Sequence, residues 1–181
     1  MTARPEFSRT FRIDTLGEQP RAIGIGADAG ERAALAQRFG LFAIDHLSAD
    51  AALTRKGESV AASGTMRAAV TQSCVATGEP VEERVEEDFR IEFRPHPQVG
   101  DAEEEIELSE GELDVIFYEG ASIDLGEAVA ETLSLSLNPY PRSPAAEAAL
   151  RAAGVRSEEE AKAEASPFAG LAALKDKLAK D

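Results

Sequence analysis

Apolar and polar positions alternate with a period of two through most of residues 41–93, which predicts three long strands. Leu47, Ala49, Ala51 and Leu53 share one side of the first strand. Val60, Ala62, Met66, Ala68, Val70, Gln72 and Cys74 share one side of the second, and Lys56-Gly57-Glu58 forms the hairpin turn between the two. Gly64 interrupts the second strand as an expected bulge. The third strand places Val81, Val85, Phe89, Ile91 and Phe93 inward and Glu82, Glu86, Asp88 and Glu92 outward, the pattern of an antiparallel sheet with one wet face. Phe7–Ile13 alternates as an earlier strand, and Leu113, Val115 and Phe117 as a later one.

Elsewhere the period lengthens to that of a helix. Glu31–Phe39 carries Leu35 and Phe39 four apart and stops at Gly40, a residue suited to the left-handed helix end. Asp124 opens a second helix as its N-cap with Glu127 three residues later, and Leu125, Val129, Leu133 and Leu137 mark its apolar face. Asn138-Pro139 ends it, since the residue before a proline avoids the helical region. These elements predict an α+β domain over residues 1–143, with a twisted, largely antiparallel, barrel-like sheet and flanking helices. An Ala/Glu-rich linker is expected over 144–165. A short amphipathic C-terminal helix is expected over 166–179, with Phe168, Leu171, Leu174 and Leu178 as its apolar stripe. Residues 94–111 read as a Pro- and acid-rich loop.

Charge narrows the range of functions. The chain carries a formal net charge of −15. Residues 82–119 hold fifteen acids against three bases, a net of −12 that leaves −3 for the rest of the chain. Such a surface repels a phosphate backbone, whose binding needs Lys or Arg at each contact, and attracts a basic protein. No apolar run approaches the roughly 20 residues that span a bilayer. The N-terminus lacks the apolar core of a signal peptide, so a cytoplasmic location and no membrane contact are expected.

The candidate chemistry is sparse. Cys74 is the only cysteine, beside a turn, and it falls on the register of Met66, Ala68 and Val70, which favours packing over catalysis. His46 and His96 are the only imidazoles, and neither lies in a nucleophile motif. One Cys and two distant His do not make a zinc site. Gly24-x-Gly26-x-x-x-Gly30 departs by one residue from the dinucleotide spacing and reads as a flexible loop. The abundant carboxylates single out no catalytic pair. No catalytic, cofactor-binding or metal-binding residue is assigned, and no cofactor is expected.

Three segments taken together resemble one family. They are Val70–Val81 followed by the acidic strand to Phe93; Ile123-Asp124-Leu125-Gly126-Glu127 leading to Asn138-Pro139-Tyr140-Pro141-Arg142; and Ser166-Pro167-Phe168-Ala169-Gly170-Leu171. Their order is similar to that of the YceD family, the large ribosomal RNA subunit accumulation proteins. The resemblance implies a role in synthesis, processing or stability of large-subunit ribosomal RNA, with no established catalytic residue or cofactor. Many relatives have Cys-x-x-Cys at the first segment, whereas here the second position is Thr77.

The functional expectation is a non-enzymatic ribosome-biogenesis factor that contacts a ribosomal or RNA-processing protein of basic surface and meets ribosomal RNA indirectly or weakly, with no role on DNA. The expected partner-binding residues are Tyr140, Arg142, Phe168, Leu171, Glu103, Glu104 and Glu105. The alternatives are direct RNA binding through an N-terminal arginine patch (Arg9, Arg12, Arg32, Arg38) and an acid–base hydrolase.

Overall fold

The computed structural model describes residues 5–97 and 114–156. The elements in order are β1 (Thr10–Arg12), a single 3-10 turn (Ile13–Thr15), β2 (Arg21–Gly26), α1 (Ala29–Phe39), β3 (Ala43–Lys56), β4 (Ser59–Ser73), β5 (Pro80–Pro95), β6 (Asp114–Tyr118), β7 (Ser122–Asp124), α2 (Leu125–Ser136) and α3 (Ala146–Ala152). Among these residues the main sheet has five strands in the order β2-β3-β4-β5-β6, and β1 pairs with β7 in a separate two-stranded ribbon. All pairings are antiparallel except β5–β6, which is parallel. The α+β class and the mostly antiparallel sheet stand as read from the sequence. Among the described residues the sheet stays open, with β2 and β6 as its edges, and no pairing closes it into a barrel.

The three long strands follow from their alternation. Leu47, Ala49, Ala51 and Leu53 of β3, Val60, Ala62, Met66, Ala68 and Val70 of β4, and Val85, Phe89, Ile91 and Phe93 of β5 all face one buried layer. The β3–β4 hairpin turns on Gly57-Glu58, with Gly57 at φ 63°, as a two-residue turn with Gly in its first central position requires. Leu35 of α1 and Leu125, Val129 and Leu133 of α2 complete the core, together with Phe7, Ile13 and Ile123. The opposite face of β5 carries Glu82, Arg84, Glu86, Asp88, Arg90, Glu92 and Arg94.

Four details depart from the sequence reading. Gly24 and Gly26 lie inside β2, paired with Asp50 and Ser48, and not in a loop. The half-buried Ile23 and Ile25 alternate with these glycines and supply the apolar side of an edge strand. The register shift of the β3–β4 ladder falls between Ile44 and His46, whereas Gly64 stays in register. Gly64 is there because a Cβ would lie 2.1 Å from the Asp50 carbonyl oxygen and 2.7 Å from Ala51 Cα, so the strands approach too closely for any side chain. The N-terminal strand shrinks to Thr10–Arg12 and pairs with β7, outside the main sheet. Residues 146–152 form α3 within the stretch expected as a linker, and Ala146 is buried.

Candidate functional site

The turn after β4 and the Pro-rich segment after α2 lock into each other. Residues 74–79 loop between Ser73 and its ladder partner Pro80. The Cys74 amide donates to the Glu79 carbonyl at 2.8 Å, and Gly78, at φ 74°, donates back to the Cys74 carbonyl at 2.9 Å. Against this loop the Val75 amide donates to the Pro141 carbonyl at 2.9 Å, and the Ser143 amide donates to Cys74 Sγ at 3.2 Å. The Ser143 hydroxyl donates to Glu79 at 2.8 Å, and the Thr77 hydroxyl reaches the same carboxylate at 3.1 Å. One turn of the ladder away, Gln72 Nε2 donates to Glu83 at 2.6 Å and to the Asn138 carbonyl at 3.2 Å. Apart from the Gln72–Glu83 bond across the ladder, every group named here answers another across more than sixty residues or within the loop itself, so the two segments form one polar clasp.

Cys74 is buried, at 3% exposure, but its neighbours are polar. The Ser143 amide, and after it the Thr77 hydroxyl, stabilise the thiolate and draw the thiol down to about 6. Burial works in the other direction and is outweighed by these hydrogen bonds. The sequence register placed Cys74 correctly as an inward residue. It did not show that its surroundings are hydrogen-bond donors and not the apolar core. Thr77, at the position where many relatives have a second cysteine, supplies one of those donors. Among the described residues no three His, Cys, Asp or Glu side chains gather as metal ligands do.

The clasp leaves large apolar side chains in water. Tyr140 is 71% exposed and Val75 54%. Phe42, whose amide bonds to the Thr71 carbonyl at the same end of the sheet, is 58% exposed. Arg142 is also exposed. Of the sequence-expected partner residues, then, Tyr140 and Arg142 lie together on the clasp. Phe168, Leu171, Glu103, Glu104 and Glu105 lie outside the described residues.

The four arginines of the alternative set are all engaged. Arg9 makes a two-pronged bond to Glu31 at 2.6 and 2.8 Å, and Arg38 joins Glu6 to Glu127. Arg32 donates to the carbonyls of Ala27 and Ile44. Arg12 pairs with Asp14 at the surface. The first of these pairs hold Glu31 and Glu6 below the ordinary carboxylate range, Glu31 through Arg9 and Glu6 through a backbone hydrogen bond and then Arg38. Arg9 and Arg38 therefore fasten the N-terminal segment to α1, and Arg38 links α1 to α2.

Acidity is distributed less simply than the sequence suggests. Of the fifteen acids in 82–119, seven fall between residues 98 and 113, outside the described part. On β5 the outward side reads Glu82, Arg84, Glu86, Asp88, Arg90, Glu92, Arg94, a strip of mixed sign. Arg67 ties Glu86 to Asp50 across three strands, and Arg94 pairs with Glu92. In the small cleft between β6 and α2, Glu131 is raised by burial and then by Glu127, with Arg38 opposing. Two of the other carboxylates there are committed: Glu127 to Arg38, and Asp124 to the amides of Arg9, Gly126 and Glu127 and the Ser8 hydroxyl.

Asp124 and Gly126 explain the second shared segment, while the third, Ser166–Leu171, lies outside the described residues. Asp124 caps α2 and also accepts from the amide of Arg9, just before β1, while a Cβ on Gly126 would lie 2.6 Å from the Phe7 carbonyl oxygen. Residues of the second segment thus seat the N-terminal chain, and its far end closes the clasp.

The described residues form an open-sheet α+β protein whose first two shared segments serve as fasteners around an exposed aromatic end. The family model described as "Large ribosomal RNA subunit accumulation protein YceD" matches residues 62–175, and the chain belongs to this family. That membership ties it to the accumulation of large ribosomal subunit RNA. No match was found among curated proteins or among solved structures. No helix among the described residues is long and apolar enough to cross a membrane.

Proposed function

We propose that this chain is a non-enzymatic, cytoplasmic factor that supports large-subunit ribosomal RNA by binding a ribosomal or RNA-processing protein of basic surface. The observation that carries this reading is the exposure of Tyr140 beside Arg142 on a rigid clasp. Tyr and Arg are the residues most often found at the energetic centres of protein interfaces, and a rigid support lowers the ordering cost of binding. Glu103, Glu104, Glu105, Phe168 and Leu171 are proposed as further partner-binding residues on the strength of the sequence alone.

Direct RNA binding through Arg9, Arg12, Arg32 and Arg38 is less well supported. A phosphate would have to displace carboxylates or backbone carbonyls that already satisfy Arg9, Arg32 and Arg38, and only Arg12 is mostly exposed. The test is complementation of cells lacking this gene. The double variant Tyr140→Ala/Arg142→Ala is expected to leave large-subunit ribosomal RNA depleted relative to small-subunit RNA. Full restoration by the double variant, with failure by Arg9→Ala/Arg12→Ala, would overturn the reading.

A further inference from the structure

An apolar groove of about 380 Å³ runs between α1 and the segment that leads into β3. Ala29, Ala33 and Ala36 line it from the helix, and Leu41, Phe42 and Ile44 from the segment. These residues all belong to the continuous stretch 29–44, so no undescribed residue adjoins the groove along the chain. Ala36 and Ile44 are buried, while Ala29 and Ala33 are exposed and Phe42 keeps 58% of its surface in water. Among the described residues Arg32 is the one charged side chain on the lining, and its head is spent on the carbonyls of Ala27 and Ile44. The groove therefore offers apolar area and no free cation, which suits an apolar occupant and not a phosphate.

The described chain ends close to this end of the sheet. The Phe42 amide donates to the Thr71 carbonyl, and Cys74, three residues beyond Thr71, accepts from the Ser143 amide. After Ser143 the chain folds back twice, with the Ala146 amide on the Ser143 carbonyl and the Val155 amide on the Leu150 carbonyl, which keeps the path to Arg156 compact.

We infer that the groove is the seat of this chain's own segment Ser166–Leu178, docked in cis through the apolar stripe Phe168, Leu171, Leu174 and Leu178. Residues 157–165 separate that segment from Arg156 and reach up to about 30 Å when extended, enough to return to Phe42. A tether this short holds the stripe at an effective concentration of about millimolar, which favours it over a free segment of equal affinity. A helix shorter than about 12–15 residues is marginal alone in water, so the stripe needs an apolar surface to form on. The inference stands independently of the protein-contact reading and adds one condition to it: a partner that takes Phe168 and Leu171 must first release them from this seat.

The experiment is amide hydrogen exchange, read by mass spectrometry, on the full chain at a low and a high protein concentration. Residues 166–178 are expected to exchange slowly in the parent, and equally so at both concentrations. Phe42→Asp and Ala33→Glu alter the two walls of the groove, and Leu171→Asp/Leu174→Asp alters the occupant. Each is expected to speed exchange in 166–178 about tenfold or more, the scale of losing an interface centre. Phe42 and Ala33 are exposed, so the fold should survive, and unchanged exchange in β3, β4 and β5 verifies this in the same measurement. Where one wall variant fails to fold, the other carries the test. Tyr140→Ala, on the clasp, is the control expected to leave 166–178 as slow as in the parent. Fast exchange of 166–178 in the parent, or slow exchange unchanged by the wall variants, would overturn the inference. Exchange that slows as concentration rises would give the groove to a second copy and overturn the cis seat, and loss of protection in Tyr140→Ala would move the seat to the clasp. The reading built on Tyr140 and Arg142 is tested by ribosomal RNA levels, so its failure is distinguishable from any of these results.

Discussion

The Ser143 amide donates to the sulfur of Cys74 at 3.2 Å, joining residues 69 apart in sequence. This bond lies at the centre of the clasp that supports Tyr140, and it makes the clasp sensitive to pH. The folded thiol is drawn down to about 6, whereas an unfolded thiol titrates near about 8.5. For an acid whose pKa falls on folding, the linked stability is complete above the unfolded value and lost as pH drops through the folded one. Chemical denaturation between about pH 5 and pH 9 should therefore show stability rising with pH across the interval from about 6 to about 8.5, relative to Cys74→Ser. Parallel profiles for the parent and the variant would refute this assignment.

Two glycines are irreplaceable for steric reasons, and a third is not. Gly126→Ala drives a Cβ against the Phe7 carbonyl and the Arg9 amide, and Gly64→Ala drives one into the Asp50 carbonyl. In each case the obstacle is backbone, and a loss of about 1–3 kcal/mol or more is expected. Gly17 has nothing within 4 Å of a built Cβ and no positive φ, so Gly17→Ala should be neutral or stabilise by about 0.4–1 kcal/mol. Denaturant midpoints of the three variants decide the matter.

Asp124 is more than a helix cap. Its carboxylate receives the Gly126 and Glu127 amides, the Arg9 amide and the Ser8 hydroxyl. An ordinary cap contributes about 1 kcal/mol, and stranded part-buried donors add to the cost, so Asp124→Ala should lose about 2–4 kcal/mol. Hydrogen exchange should show deprotection at both the start of α2 and the β1–β7 ribbon. Deprotection confined to α2 would show that the N-terminal strand does not depend on this carboxylate.

Tyr140 should behave oppositely. At 71% exposure, Tyr140→Ala should change stability by no more than about 0.5 kcal/mol. The same change should markedly reduce retention of large-subunit ribosomal proteins on the immobilised chain. A large stability loss would make Tyr140 a structural residue and remove it from the proposed surface.

The sheet was legible in the sequence because Leu47–Leu53, Val60–Val70 and Val85–Phe93 alternate over long runs, and burial on one face enforces that alternation. The α2 helix was legible for a similar reason, with Leu125, Val129 and Leu133 on one face. Strand β2 was hidden because Gly24 and Gly26 read as breakers when considered singly. They are tolerated on an edge strand whose apolar side is carried by Ile23 and Ile25. The clasp left no local trace. Ser143 meets Glu79 and Cys74 only once the fold has formed, and no spacing rule links residues more than sixty apart. The arginine partners were equally invisible: Arg9, Arg12 and Arg38 look like free cations until Glu31, Asp14, Glu6 and Glu127 are brought to them.

Titrating the labelled full chain separately with naked large-subunit ribosomal RNA and with purified large-subunit ribosomal proteins, at low and at moderate salt, tests most directly whether the chain works through protein contacts. Saturable binding to one or more basic ribosomal proteins is expected, weakened by salt and by Tyr140→Ala/Arg142→Ala, with no comparable binding to the RNA. Tight binding to the naked RNA that is lost in Arg9→Ala/Arg12→Ala, with no ribosomal protein bound, would contradict it.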